Sequence, residues 1–250
     1  MRLTLPNVTL CAVTSINVAA TVQALTTSMA YADFGAVKLF TDVRLRPDDD
    51  RIEIVPIDRL TSSKAYSAFL LAALPDHIET SHCLVTQWDG HVISAENWRP
   101  AFLDYDYVGA SWPQFSDGHD VGNGGFSLRS RRLMDLCRDK AFNAHHPEDV
   151  AICRTNRPWL ESIGMCFAPK AIADQFAAER TSDPGACFGY HGVWNMPRAI
   201  GMDAFWSVYQ SLDDRGTIWH DFGAILRDTV RHPAGFNRAA RMLLDRIRRR

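Results

Sequence analysis

The chain has 250 residues, 46% of them hydrophobic and 22% charged, with a formal net charge of −2. That length can bury one sizeable core, and the near-neutral charge excludes a whole-chain field that would draw in nucleic acid or an acidic membrane. No apolar run reaches the about 18 residues of a membrane-spanning helix. The opening stretch MRLTLPNVTLCAV, broken by Pro6, Asn7 and Thr9, reads into a strand rather than a signal peptide. The six cysteines, none in a CxxC pair, fit a reduced, cytoplasmic protein without disulfides or structural zinc.

In chain order, the apolar run Val8 to Thr14 predicts a buried strand. Asn17 can cap the helix that follows, with Val18, Val22, Leu25 and Met29 on one stripe. Residues 36–41 and 52–56 predict the second and third strands, residues 62–74 a helix and residues 82–86 a fourth strand closed by Asp89-Gly90. This alternation predicts a mainly parallel sheet flanked by helices, with ligands bound beyond the carboxyl ends of its strands. Strand-end polar residues therefore matter: Thr14, Ser15, Asp42, Gln87 and Asp89.

The second half is less regular. Residues 107–111 and 125–128 predict strands, separated by a long Pro/Gly/Asp/His loop over 112–123. Ser130 opens a helix, residues 147–154 and 169–178 predict two more, and residues 188–195 (FGYHGVWN) read as loop. No repeat or clear linker occurs, so one domain over 1–200 is expected, with a helical C-terminal appendage over 201–250. The appendage's last 14 residues carry six Arg and one Asp, and Ala239, Met242, Leu243 and Ile247 can share a face. That end reads either as a solvated helix docked by its apolar side or, through Arg238 to Arg250, as a peripheral contact with anionic lipid or a partner.

Four groups could carry chemistry. Asp89 sits at a strand end, where a carboxylate can hold a divalent metal against a diphosphate, although Asp-Gly after a strand is also an ordinary turn. The run Gly122-Asn123-Gly124-Gly125 allows close backbone approach to a ligand. It is neither a P-loop nor a dinucleotide fingerprint, since no GK[ST] follows and its strand comes after the glycines. Glu148 and Asp149 could supply a general base, although acidic residues are also common at helix starts. His191, among glycines and aromatics, could ligate metal or contact phosphate.

The order of VTSINVAATVQAL, VTQWDG, YDYVGASW, DVGNGGFSLRS, PEDVAIC and FGYHGVWN resembles the GT-A glycosyltransferases, closest to an uncharacterised bacterial glycosyltransferase-like family, over roughly residues 8–195. The resemblance implies a Rossmann-related GT-A-like α/β fold with a central, mainly parallel mixed sheet, and a nucleotide-sugar-dependent hexosyl transfer of polysaccharide-biosynthesis type. It implies that Asp89 is the last acidic residue of the nucleotide-sugar and metal motif, with Gln87 where a first acidic residue is usual. It implies that Thr14 and Ser15 face the nucleotide and that Gly124 and Gly125 lie under a sugar. Asp149, or else Glu148, is implied as the base of an inverting transfer. His191 joins Asp89 as ligand to Mn²⁺ or Mg²⁺, and Trp112 stacks on a sugar ring. The acceptor would be a glycan, a lipid-linked glycan or a small molecule. Two alternatives stay open: a non-catalytic sugar- or nucleotide-binding relative, and a metal hydrolase built on His145, His146, Glu148, Asp149 and His191.

Overall fold

The computed structural model describes residues 2–180 and 183–248. Strand β1 (Leu3–Val13) leads into helix α1 (Val18–Tyr31), then β2 (Ala32–Thr41), β3 (Ile52–Pro56), α2 (Ser63–Ala72), β4 (His82–Thr86) and β5 (Gly90–Val92). There follow β6 (Tyr107–Val108), β7 (Phe126–Ser130), α3 (Arg131–Leu136), α4 (Glu148–Val150), α5 (Arg157–Ser162), α6 (Lys170–Phe176), β8 (Ala177–Ala178) and β9 (Gly189–His191). The chain ends in α7 (Met196–Ala199), α8 (Met202–Ser211), α9 (Phe222–Val230) and α10 (Gly235–Arg248).

The main sheet has six strands in the order β3-β2-β1-β4-β7-β6. The four strands from β3 to β4 are parallel, and β7 is antiparallel to both β4 and β6. This is the mixed, mainly parallel sheet expected, and its apolar strands are covered on both faces. After β1 the chain moves one way to β2 and β3, then returns to place β4 on the other side of β1. That reversal opens a crevice beyond the carboxyl ends of β1 and β4, where open α/β sheets take ligands.

A second sheet, β5-β9-β8, corrects the loop expected at 188–195. Gly189 lacks the side chain that would strike the Phe126 ring, so β9 can lie against β7. The helix expected to run to Ala178 stops at Phe176, because Ala177 and Ala178 pair with Gly189 and Tyr190. Tertiary pairing there overrides the helix preference of alanine. The strand expected over 107–111 is regular only at Tyr107–Val108, and Ser111 instead bridges Val121. The helix expected over 147–154 passes into a π turn at Ala151–Thr155.

Asn17 does not cap α1 with its side chain. Its amide instead donates to the Asp214 carbonyl (3.3 Å) and Thr217 Oγ1 (3.1 Å), and its Oδ1 accepts from the Asp214 N–H (2.8 Å). The C-terminal helices thus clasp the β1–α1 turn. They also share a core with the second sheet, in which Tyr190, Phe205, Tyr209, Ile225 and Met242 are buried together. On α10 the expected common face divides. Ala239 and Met242 are buried, whereas Leu243 and Ile247 are exposed, because α9 covers only one flank. Arg249 and Arg250 of the expected basic end lie outside the described residues. No helix among the described residues is long and apolar enough to cross a membrane.

Candidate functional site

The crevice holds a cavity of about 480 Å³ lined by Thr14, Ser15, Tyr66, Gln87, Trp88 and Thr217, among others. Its walls are fixed by short polar links. Ser15 Oγ accepts from the Leu60 N–H (2.8 Å), tying the loop after β3 to the end of β1, and Gln87 Nε2 donates to the Tyr66 hydroxyl (3.0 Å). A second cavity of about 360 Å³ lies behind Trp88, lined mainly by alkyl groups of α1, α7 and α8 and by no carboxylate. The chemistry therefore points to the first.

Behind Gln87 lies a buried charge cluster. His191 Nε2 is 3.6 Å from Asp89 Oδ1 and 3.4 Å from Gln87 Oε1, and Nδ1 is 3.6 Å from Glu179 Oε1. Two strands converge to make it, since β5 begins directly after Asp89 and pairs its Gly90 with His191 of β9. Burial pushes the Asp89 carboxyl above its usual value, and His191 only partly counters that. Burial works against the charged imidazole, but Asp89 and Glu179 outweigh it and raise His191. Asp89 Oδ1 and His191 Nδ1 are both buried without a hydrogen-bond partner. An unpartnered buried carboxylate oxygen is unfavourable unless a cation or donor reaches it.

The glycine run lies between this cluster and Asp149. A Cβ on Gly125 would fall 2.1 Å from His191 Nε2, and one on Gly124 would fall 2.3 Å from Glu148 Oε1. Both positions need glycine for close packing of protein side chains. The Gly124 N–H donates to Asp149 Oδ2 (3.1 Å). Burial, and then the neighbouring Glu148 charge, raise the Asp149 carboxyl above its usual value.

Glu148 has another fate. Its carboxylate accepts from Arg129 Nη2 (3.2 Å) and from Ser67 Oγ (2.9 Å). Arg129 is 1% exposed, faces the same side of β7 as Ser127, and lies over the Tyr107 ring. The pair is a buried structural ion pair, which removes Glu148 from the choice of base. Trp112 is corrected too. It is 7% exposed and packed over Gly122 and Phe115, so it offers no open ring face for stacking. His146 faces the Ser63 and Ser67 hydroxyls and His145 faces Thr155, away from the Asp89–His191 cluster.

Residues 50–191, more than half of the chain, match the family model described as protein of unknown function (DUF5672). The chain belongs to this family. Curated proteins give no match to the DUF5672 chain. Two solved structures resemble it at low identity. One is a glycosyltransferase involved in the glycosylation of the major capsid of PBCV-1, with 11% identity and a TM-score of 0.45, covering 74% of this chain and 93% of that one. The other is the apo-form glycosyltransferase GlyE of Streptococcus pneumoniae TIGR4, with 14% identity and a TM-score of 0.45, covering 86% of this chain and 63% of that one.

In this DUF5672 chain, no group of three or more His, Cys, Asp or Glu side chains among the described residues has metal-holding geometry. What remains is Asp89 Oδ1, His191 Nε2 and the Gln87 amide oxygen. These two oxygens and one nitrogen converge at one place, with His191 Nε2 3.6 Å from Asp89 and 3.4 Å from Gln87. Glu179 lies beside the other ring nitrogen of His191, at 3.6 Å. Sequence reasoning missed Glu179, Tyr66 and Arg129. Arginine inside a strand was the one available signal, because a buried guanidinium requires an acid.

Proposed function

We propose that this chain is a GT-A-like glycosyltransferase that moves a sugar from a nucleotide-sugar donor to an acceptor hydroxyl with inversion at the anomeric carbon. The observation that carries this reading is the Gly124-Gly125 turn. One of its residues holds the Asp149 carboxylate and the next seats His191 beside Asp89 and behind Gln87, which lines the cavity at the sheet's switch point.

The nucleotide occupies the cavity between Thr14, Ser15 and Gln87, with its diphosphate directed toward Asp89 and His191. Asp89 and His191 would hold Mn²⁺ or Mg²⁺, which would supply positive charge to the diphosphate. Asp149 accepts the acceptor's hydroxyl proton as that oxygen bonds to the anomeric carbon. The bond from that carbon to the diphosphate oxygen breaks, and its electron pair leaves with the diphosphate. Glu148 is engaged by Arg129 and Ser67, which leaves Asp149 as the one of the two adjacent carboxylates to act as base in a direct displacement. The acceptor belongs to the hydroxyl-bearing class of glycans, lipid-linked glycans or small molecules.

A non-catalytic relative is the second reading, favoured by Gln87 where an acidic residue is usual. Asp149→Asn separates the two. Nucleotide-sugar turnover in the presence of Mn²⁺ falls by more than about 10³-fold, a base's typical share, while nucleotide binding measured by thermal shift stays unchanged. Wild-type turnover in the variant refutes the base assignment. Nucleotide binding without any turnover in the wild type establishes the second reading.

A further inference from the structure

Helix α10 is attached along one flank only. Gly235, Ala239 and Met242 are buried against α9, where Thr229 Oγ1 meets the Met242 sulfur at 3.7 Å. Turning about 100° per residue, the next flank presents Phe236, Leu243 and Ile247, with Leu244 beyond them. All four are exposed, Phe236 to 79% and Ile247 to 67%. Past Leu244 the helix turns to Arg248 and Arg241. The helix therefore has three lengthwise zones: docked, bare apolar and basic. A contiguous bare patch of large apolar side chains on a monomer marks a surface that something else covers.

The charge limits what that something is. Residues 235–248 hold four Arg against Asp245 alone, a local reversal of the chain's net −2. Arg238 reaches Asp203 (2.6 Å) and Arg246 lies over the Phe222 ring, so both are held by the protein. Among the described residues Arg241 pairs along its own helix, with Asp245 (3.1 Å), and is 54% exposed. Arg231 at the end of α9 is 72% exposed and lies 4.0 Å from Asp228 of the same helix. A second copy meeting this face two-fold would set arginines against arginines. An anionic bilayer surface answers both zones at once, with headgroup phosphates for the cations and an acyl boundary for the apolar stripe.

We propose that α10 lies in the plane of an anionic bilayer, with Phe236, Leu243, Leu244 and Ile247 below the headgroups and Arg241 and Arg248 against lipid phosphates. This does not depend on the glycosyl-transfer reading.

The test is flotation of the full chain with vesicles of pure phosphatidylcholine and with vesicles that also contain phosphatidylglycerol. The protein should float only with the second kind, and high salt should release it. Phe236→Ser with Ile247→Ser, both at exposed positions, should weaken that association at least about tenfold without lowering the melting temperature. Arg241→Gln with Arg248→Gln should also weaken it. Absence of flotation, equal flotation with both vesicle types, or wild-type flotation of the Phe236/Ile247 variant overturns the proposal. So does a dimer in size-exclusion chromatography that the Phe236/Ile247 variant dissolves, which would make the face a self-interface.

Discussion

Gly125→Ala tests the link between the glycine turn and the charge cluster. The added methyl would sit 2.1, 2.3 and 2.5 Å from three atoms of the His191 ring, where ordinary contact begins at 3.4 Å. The ring must therefore retreat by about 1.3 Å, the shortfall at its closest atom. Gly125 has no positive φ, so alanine is acceptable to the backbone and the effect is steric alone. Overpacking of this size costs about 1–3 kcal/mol. At about 2–4 °C per kcal/mol for a chain of this length, the melting temperature should fall by roughly 2–12 °C and leave a folded protein. The consequence at the site is larger. Retreat draws Nε2 away from Asp89 and Gln87, and a misplacement of about 1 Å typically costs about 10²-fold in turnover. Calorimetric titration with Mn²⁺ and a panel of nucleoside diphosphates, together with a donor-hydrolysis assay, reads both losses. A folded Gly125→Ala protein with wild-type affinity and turnover would refute the reasoning, because His191 would then not need that seat.

Arg129→Met leaves Glu148 buried without its cation and should cost about 3–5 kcal/mol in chemical denaturation. Arg138→Met, which breaks an exposed pair with Asp76, should stay within about 1 kcal/mol; equal effects would deny the Arg129 pair its structural role. The pH profile tests Asp149. Because burial and Glu148 raise its carboxyl, the acidic limb of kcat/KM should lie above the usual aspartate value of about 3.9. The sign for stability is opposite. A folded-state value above the unfolded one favours the protonated form in the native state, so this group's contribution is full at low pH and declines as pH rises through its native value. Activity should therefore rise over the interval in which Asp149's share of stability falls. A limb at the ordinary aspartate value removes the argument for a buried base.

The parallel half of the fold was legible because its signals are local. Strands β3 and β4 lie where the apolar runs put them, and the strand-end residues Thr14, Ser15 and Gln87 do meet at one cavity. Asp89 and His191 are joined in the sequence only through the family resemblance, and the β5–β9 pairing is what puts their side chains 3.6 Å apart. What was not legible depends on contacts distant in sequence. β9 reads as loop because Gly189 and Gly192 disguise it, and only the position of Phe126 explains the first of these glycines. Glu179 carries no motif and becomes a neighbour of His191 only once β8 and β9 are paired. Trp112 next to a glycine-rich run invites a stacking role, yet Gly122 gives that ring a place in the interior. Glu148 and Asp149 are adjacent and chemically alike, and Arg129 is what divides their roles.

The Asn17 clasp also bears on the time course of folding. It joins residue 17 to residues 213–217, a separation of nearly the whole chain. The parallel strands can assemble from contacts much closer in sequence, whereas this closure waits until about 200 further residues are in place. During synthesis from the amino end, the sheet can thus exist before the crevice has its far wall, to which Asp214 and Thr217 belong. Nascent chains should complete the crevice late, only when the C-terminal helices have closed over the first turn.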